Sequence, residues 1–224
     1  MRACFPVPGH SGEAYFFHGA KYAKIKFVPS SPDEHIVYGP ASIHEWKSLA
    51  KAGFNTIDAA LPVPGHEGEV YFFSGTKYVR VKFVPSSSEE HIVFGPANIA
   101  DEWKALAKVG FATVDAVLPV PGHDGQAYFF SGNQYAKIKF VAGTPNEEVL
   151  YGPASIVAEW KTLNQAGFDT VDAVLAVPGR EGEAYFFSGS QYAKIKFVPS
   201  SGTEEVLYGP VRVAREWKTL AWGW

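Results

Sequence analysis

A short stretch in which apolar and polar residues alternate recurs four times along the chain. In residues 135–140, Ala, Ile and Phe stand at every second position, and Tyr, Lys and Lys stand between them. Side chains of a strand point alternately to its two faces, so this pattern predicts a β-strand with one apolar and one polar face. An aromatic run, Tyr-Phe-Phe, precedes each such strand and predicts a second strand joined to it by a hairpin turn.

The aromatic run sets the register of an internal repeat. Its tyrosine stands at Tyr15, Tyr71, Tyr128 and Tyr185, at spacings of 56, 57 and 57 residues. A Gly-Pro pair follows each tyrosine after 24 residues, and an apolar residue and a tryptophan come next. Four units therefore fill the chain, with predicted boundaries at residues 1–56, 57–113, 114–170 and 171–224.

Each unit is predicted to contain four strands and one short helix. In the third unit the strands are expected at residues 114–118, 127–130, 135–140 and 148–151. Prolines follow the first strand and Gly152-Pro153 closes the last, because proline cannot donate a hydrogen bond to a sheet. Ile156, Trp160 and Leu163 have the spacing of an amphipathic helix.

A single four-stranded unit cannot bury both faces of its sheet. Radial repetition of such units buries these faces and protects the strand edges, as in a β-propeller. A linear solenoid is the alternative, but it needs atypical, polar units at its ends, and the four units here are nearly interchangeable. The sequence therefore predicts an all-β, four-bladed propeller.

The motifs of one unit resemble the hemopexin repeat. They are Asp-Ala at the first strand, Tyr-Phe-Phe-x-Gly-x-x-Tyr over the next two, and Gly-Pro-x-x-Ile-x-x-x-Trp at the end. The loop Val-Pro-Ser-Ser followed by Glu-Glu is similar to that of stand-alone hemopexin-fold proteins of the plant seed-albumin kind. The resemblance covers the whole chain and implies a binding protein. Secreted relatives link the first and last blades by a disulfide, whereas this chain has one cysteine, Cys4.

Composition excludes several classes of partner. The net charge is −3, from 20 basic and 23 acidic residues, and no basic tract is interleaved with aromatic residues as in nucleic-acid binders. No apolar run approaches the ~20 residues of a membrane-spanning helix. The first residues lack the apolar stretch of a signal peptide. We therefore expect a cytoplasmic protein, or a stored or secreted protein without disulfides.

The resemblance implies two ion sites in the central channel. Main-chain carbonyls at the Asp-Ala step would hold calcium or sodium, and these positions are Arg2, Asp58, Asp115 and Asp172. The residues two positions further on would present main-chain groups to a second ion, chloride or sodium, and these are Cys4, Ala60, Val117 and Val174. Hard cations accept carbonyl oxygens, so this ring tolerates Arg2 in place of a fourth aspartate. The alternative is that the aspartates only bind turn amides.

A second candidate site follows the first strand of each unit. His10, His66, His123 and Arg180 occupy equivalent positions after Pro-Gly, and four-fold closure would arrange them around the other mouth of the channel. Such a ring could bind an anion, or offer imidazole to a haem iron or a transition metal. The alternative is that these are solvated loop side chains.

Two further repeated features have simpler structural explanations. Lysine or arginine recurs twice per unit on the third strand, and an acidic pair recurs one hairpin later, which favours cross-strand charge pairing on exposed faces. The tryptophans and Tyr-Phe-Phe runs favour an inter-blade core over stacking platforms for sugars or bases. Trp222 is expected to fill the seam between the last and first blades, and Trp224 to be exposed.

No catalytic motif is present, so we predict a protein that is not an enzyme. Two binding hypotheses remain open. The first is one axial site for a small ligand such as haem or a polyamine at the channel mouth, with ions in the channel. The second is a multivalent carbohydrate-binding lectin or agglutinin, with equivalent sites on or between the blades. Protein interaction through the flat faces is a third possibility.

Overall fold

The computed structural model describes residues 1–199 and 201–223. Over these residues sixteen strands form four antiparallel sheets of four strands each, and the strands of each sheet follow chain order. The prediction of a mostly β, four-bladed propeller is confirmed. No helix in the described ranges is long and apolar enough to span a membrane.

Equivalent strands of the four blades have closely similar bounds. The innermost strands are β1 (Ala3–Pro6), β5 (Ala59–Pro62), β9 (Ala116–Pro119) and β13 (Ala173–Ala176). The second strands are β2 (Glu13–His18), β6 (Glu69–Ser74), β10 (Gln126–Ser131) and β14 (Glu183–Ser188). The third strands are β3 (Lys21–Phe27), β7 (Lys77–Phe83), β11 (Gln134–Phe140) and β15 (Gln191–Val198). The outer strands are β4 (Glu34–Ser42), β8 (Glu90–Asn98), β12 (Glu147–Ser155) and β16 (Thr203–Arg212).

The innermost strands close the ring. β1 contacts both β5 and β13, and β9 contacts the same two strands from the other side. The last blade therefore packs against the first, which an open solenoid would not allow.

Aromatic side chains fill each boundary between blades. The Trp103 ring centroid lies 5.5 Å from that of Phe129 and 5.2 Å from that of Phe140, both on the next blade. At the closing boundary, Trp217 lies 5.7 Å from Phe16 and 5.1 Å from Phe27. All six rings are buried, so these aromatics form the inter-blade core as expected.

The predicted polar face of the third strand is partly wrong. These strands are buried on both faces from their second to their fifth residue. The basic residue at the fourth position is therefore at most 8% exposed. These residues are Lys24, Arg80, Lys137 and Lys194. The cause is the neighbouring blade, whose loop covers this face: the Lys24 ammonium, for instance, donates to Ser86 of the second blade.

The outer strands run longer than predicted, and the helix is divided. β12 continues through Gly152-Pro153, where the register against β11 shifts and admits a proline. Gly152 has φ +93°, and a Cβ there would lie 2.7 Å from the Tyr135 carbonyl oxygen, so the position requires glycine. Trp160, at ψ 87°, interrupts the predicted helix.

Two short helical turns therefore follow each sheet. They span Ile43–Glu45 and Lys47–Lys51, Ile99–Glu102 and Lys104–Lys108, Ile156–Glu159 and Lys161–Gln165, and Val213–Glu216 and Lys218–Gly223. Trp222 is partly buried against the cluster that joins the last blade to the first, as expected. Trp224 lies outside the described residues.

Candidate functional site

A groove lies along each boundary between neighbouring blades. We name the grooves 1–2, 2–3, 3–4 and 4–1 after the blades that they separate; their volumes are 470, 380, 610 and 410 Å³. One blade contributes two tyrosines, a lysine or arginine, a tryptophan and a glutamate. The next blade contributes a phenylalanine, the loop after its third strand and a second glutamate. The repeat thus builds four related sites, each from two blades.

An aromatic ring on the outer strand forms an open wall of each groove. The rings are Tyr38 (49% exposed), Phe94 (44%), Tyr151 (45%) and Tyr208 (45%). Behind each lies a buried tyrosine of the third strand, with ring centroids 5.9–6.2 Å apart. Each groove therefore offers a partly exposed aromatic face that is held in place by a second ring.

A glutamate of the first helical turn lies beside this wall. In groove 1–2 the Tyr38 hydroxyl donates to Glu45 Oε2 at 2.6 Å, and this hydrogen bond raises the pKa of Tyr38. Burial, followed by the charge of Glu159, raises the pKa of Tyr151 in groove 3–4. Groove 2–3 differs, because Phe94 has no hydroxyl to offer Glu102. The carboxylates sit where they can accept hydrogen bonds from a bound molecule.

The buried cation of the third strand forms part of each groove. Lys24 Nζ donates to Ser86 Oγ at 2.8 Å, and Lys194 Nζ donates to Ser30 Oγ at 3.0 Å, each across a blade boundary. Both serines have φ +63°, a conformation that non-glycine residues rarely adopt. The neighbouring blade thus holds its loop against the cation despite this backbone strain.

A glutamate on the second strand accompanies this cation in three blades. Glu69 Oε2 accepts from Arg80 at 2.6 Å, and Glu183 Oε2 lies 3.4 Å from Lys194 Nζ. Glu13 lies 3.9 Å from Lys24. The third blade has the neutral Gln126 at this position, and in the fourth blade Arg180 also lies 3.9 Å from Glu183.

A second set of glutamates ties each blade to the preceding one. Their carboxylates accept backbone N–H groups at the start of the preceding blade's second helical turn. The contacts are Glu90 with Ser48 (3.0 Å), Glu147 with Ala105 (2.8 Å), Glu204 with Lys161 (2.8 Å) and Glu34 with Thr219 (3.0 Å). One glutamate of each acidic pair therefore binds the backbone of the preceding blade, whereas the charge pattern had predicted pairing across strands. The contact of Glu34 with Thr219 joins the first blade to the last.

The expected cation positions at the Asp-Ala step have a local role. Asp58, Asp115 and Asp172 each accept the glycine N–H of the hairpin in their own blade, at 2.6–2.7 Å. The three groups also share one end of the channel. The pKa of Asp115 is raised, mainly by burial and also by the charges of Asp58 and Asp172. The Gly132 hydrogen bond and the charge of Arg2 act in the opposite direction. No three His, Cys, Asp or Glu side chains of the described residues lie close enough to hold a metal.

The residues of the second predicted ring do not use their main-chain groups in the ladder with the second strand. The Val63 N–H donates to the Glu69 carbonyl at 2.9 Å, so Ala59 and Leu61 bond to β6 and Ala60 turns its main chain to the channel edge. The same register holds for Cys4, Val117 and Val174. The Cys4 thiol donates to the Val174 carbonyl at 3.5 Å across two inner strands. Carbonyl oxygens are ligands that hard cations accept, so an ion at this ring stays a prediction.

The predicted His/Arg ring stays divided among the blades. His10 lies 3.7 Å from Glu13, His66 4.0 Å from Glu69, and Arg180 3.9 Å from Glu183, each within one blade. His123, which has Gln126 three residues later, instead bonds the Pro121 carbonyl at 2.8 Å. Among the described residues no hydrogen bond or ion pair joins one of the four to another.

The groove residues were missed by the sequence-based assignment, although signals were present. The glutamates that accompany the buried cations stand three residues after a histidine or an arginine, and this spacing could have been recognised. They are Glu13, Glu69 and Glu183. The helical glutamate precedes the repeated tryptophan in every unit. What no spacing reveals is that a loop of the next blade completes each groove.

The sequence of the chain is similar to that of a plant albumin. No protein-family model matches the chain. "Albumin-2" of Pisum sativum is 24% identical over 213 residues, which are 94% of this chain and 90% of the relative.

Solved structures match over nearly the full length. A plant albumin from Cicer arietinum showing hemagglutination has a TM-score of 0.87 and 26% identity, covering 99% of this chain and 96% of its own. A plant lectin with two metal binding sites from Cicer arietinum gives 0.86 and 27%, covering 98% and 96%. A hemopexin fold protein from cow pea gives 0.86 and 25%, covering 99% and 96%. The chain therefore has the four-bladed hemopexin fold and resembles the plant seed albumins.

Proposed function

We propose that this protein is a non-enzymatic, multivalent carbohydrate-binding propeller whose sites are the four inter-blade grooves. The observation that carries the proposal is the groove itself, repeated at every boundary with an exposed ring, a carboxylate and a buried cation. The volumes fall within the range of ~300–1,000 Å³ that is usual for small-ligand sites.

The groove chemistry suits a sugar ring. The apolar C–H face of a hexose packs on an aromatic face such as that of Tyr38, and its hydroxyls donate to a carboxylate such as Glu45. The hydroxyl of Tyr38 already bonds that carboxylate, which fixes the acceptor before a ligand arrives. Preorganised acceptors reduce the entropy lost on binding.

Four weak sites on one rigid chain gain strength on a repeated target. Linked sites convert later binding events into intramolecular ones, and overall avidity can exceed the single-site affinity by ~10²–10⁴. The hemagglutination by one structural neighbour and the lectin designation of another are consistent with such binding. We extend this to glycans on cell surfaces as the targets of this chain.

An ion in the channel is the second part of the proposal. The carbonyls at Arg2, Asp58, Asp115 and Asp172 would hold a calcium or sodium ion, and the main-chain groups at Cys4, Ala60, Val117 and Val174 would hold a second ion, chloride or sodium. The two metal binding sites of one structural neighbour support this, without naming the metal. The ions would fix the inner strands relative to one another.

The axial alternative predicts a different stoichiometry. A haem or polyamine bound among His10, His66, His123 and Arg180 would occupy one site per chain. A titration of haemin followed at the Soret band tests that alternative. A glycan array followed by calorimetry with the best hexoside tests the groove proposal, and Glu45→Gln should weaken groove 1–2 alone. Asp124→Asn, an exposed change outside the grooves, is the control.

A further inference from the structure

Two serines in the grooves have an unusual backbone conformation. Ser30 and Ser86 each have φ +63°, and among the described residues they are the only ones besides glycines with positive φ. Ser86 lines groove 1–2 and Ser30 lines groove 4–1, each on the loop that follows a third strand. Residues held in sparsely populated backbone conformations cluster at ligand sites, so these two positions are candidates for ligand contact.

Groove 2–3 has a glycine at the same loop position. Gly143 is the equivalent residue of the third blade, two positions after the third strand's last residue plus one, and its φ is +74°. A Cβ at Gly143 would lie 2.9 Å from Arg80 Nη1, so this loop has no room for a serine. Residue 200, the equivalent of the fourth blade, lies outside the described residues. Grooves 1–2 and 4–1 therefore contain a hydroxyl that groove 2–3 lacks, at a position whose backbone favours glycine.

A buried lysine fixes the hydroxyl of each serine. Lys24 Nζ donates to Ser86 Oγ at 2.8 Å, and Lys194 Nζ donates to Ser30 Oγ at 3.0 Å. Because each oxygen acts as an acceptor in this bond, the hydroxyl keeps its own hydrogen for another acceptor. A charged donor also polarises the hydroxyl and makes it a stronger donor in turn. Both serines are exposed, so each groove presents one oriented hydroxyl donor to a ligand.

Acidic and basic side chains accompany one another in both grooves. Groove 1–2 is lined by two glutamates and two lysines. Groove 4–1 is lined by two glutamates and a lysine, and Arg215 Nε lies 3.5 Å from one of these glutamates, Glu216. The glutamate beneath each buried lysine has a second basic neighbour as well, at 3.9 Å. Neither groove favours a charged ligand, so a neutral carbonyl oxygen is the acceptor that suits the serine hydroxyl.

An exposed valine of the next blade faces each groove together with the aromatic wall. Tyr38 and Val84 line groove 1–2, at 49% and 48% exposure, and Tyr208 and Val28 line groove 4–1, at 45% and 53%. A valine side chain forms no hydrogen bond and gains only from apolar contact, such as that of a methyl group. The ring of a plain hexose packs on the tyrosine, but glucose, galactose and mannose carry no methyl group for the valine.

We infer that grooves 1–2 and 4–1 select 2-acetamido sugars, with Ser86 and Ser30 as specificity-determining residues. The acetamido carbonyl accepts from the serine hydroxyl, its N–H donates to the glutamate of the first helical turn, and its methyl packs on the valine. A trans amide points its carbonyl and its N–H in opposite directions, which suits a donor and an acceptor on two different blades. The inference rests on the proposed glycan-binding function and names its substrate class. Groove 2–3 binds the sugar ring without this selection, because Gly143 has no hydroxyl.

Paired methyl glycosides test the inference on the intact chain. Glucoside, galactoside and mannoside are each compared by calorimetry with the 2-acetamido-2-deoxy counterpart. For one pair, the acetamido glycoside should bind at least two sites per chain roughly tenfold more tightly than the parent. One added hydrogen bond and one buried methyl group account for a gain of this order.

Double variants of the serines and of the valines locate the effect. Ser30→Gly with Ser86→Gly removes both hydroxyls and suits the backbone, and it should lower the preference at two sites by roughly fivefold, the effect of one hydrogen bond. Val28→Thr with Val84→Thr keeps the side-chain shape, adds a polar group and should also lower the preference. It keeps the test decisive if the glycine double variant fails to fold by its melting curve. Ser11→Gly, on an exposed loop outside the grooves, is the control.

The outcomes separate the two levels of the proposal. Parent glycosides that bind with no acetamido preference, or a preference that survives both double variants, would overturn the inference and leave the glycan-binding function intact. Absence of binding by any of the six glycosides would overturn both.

Discussion

The grooves and the channel mouths use the same four-fold repeat with opposite results. In a groove, residues of two blades meet: Lys24 bonds Ser86, and Glu90 bonds Ser48, each across a boundary. At one mouth, the charged side chains of the predicted ring instead pair with glutamates of their own blades, as His10 does with Glu13. Repetition alone therefore supplies four copies of a residue. Proximity to the next blade decides whether those copies build a composite site.

The largest expected effect concerns the aromatic floor of the grooves. Trp103→Ala should lower the free energy of unfolding by about 4 kcal/mol, because it leaves a cavity between two blades. His123→Ala, on a mouth loop, should change it by less than about 0.5 kcal/mol. Urea unfolding compares the two, and equal losses would contradict the distinction between grooves and mouths.

Removing the proposed channel ion should have the next largest effect. An ion present at 100 times its dissociation constant stabilises the folded state by about 2.7 kcal/mol, which is roughly 5–10 °C in melting temperature for a chain of this size. Chelator should lower the midpoint if the ion is calcium, and exchange of sodium for choline should do so if it is sodium. An identical midpoint in every buffer would count against the ion.

Loss of one inter-blade carboxylate should lower the free energy of unfolding by a smaller amount. Glu204 accepts the Lys161 N–H at 2.8 Å and the Thr162 hydroxyl at 2.6 Å, so Glu204→Ala removes a helix cap and should cost about 1–2 kcal/mol. Glu205→Ala changes the exposed neighbour and is the matched control. Thermal melts of both variants provide the measurement. Similar melting temperatures would mean that the cap does not hold the blades together.

The cysteine on the channel wall should not react with thiol reagents in the native protein, because it is buried. Burial raises the pKa of the Cys4 thiol to about 12, so almost none of it is thiolate at pH 8. The native protein should not react with Ellman's reagent within an hour, and the guanidinium-unfolded chain should release one equivalent. Rapid reaction of the native protein would show that the inner strands open.

The blades and their core were predictable because they depend on local pattern. The tyrosine register defined four units, and the aromatic periodicity identified residues such as Trp160 as inter-blade core. The buried state of Lys137 was not predictable, since alternation describes a strand without its neighbour blade. The contact of Glu34 with Thr219 spans 185 residues and exists only because the ring closes.

The candidate site was harder to predict for the same reason. His10 and its equivalents share a sequence position, which predicts a ring at the channel mouth, but the spacing did not reveal that the imidazole of His10 lies 3.7 Å from Glu13 of its own blade. Ser86 and Tyr38 carry no motif that links them, and both line groove 1–2. A site built from two blades depends on the distance between them. The sequence of a single repeat does not give that distance.

Calorimetric stoichiometry tests the central claim that the grooves are the binding sites. Titration of the wild-type chain with its best glycan ligand should give about four equivalents. Glu45→Gln should remove about one equivalent and leave the rest unchanged. One equivalent per chain, lost on substitution of Arg180 and unaffected by Glu45→Gln, would contradict the groove account and favour an axial site.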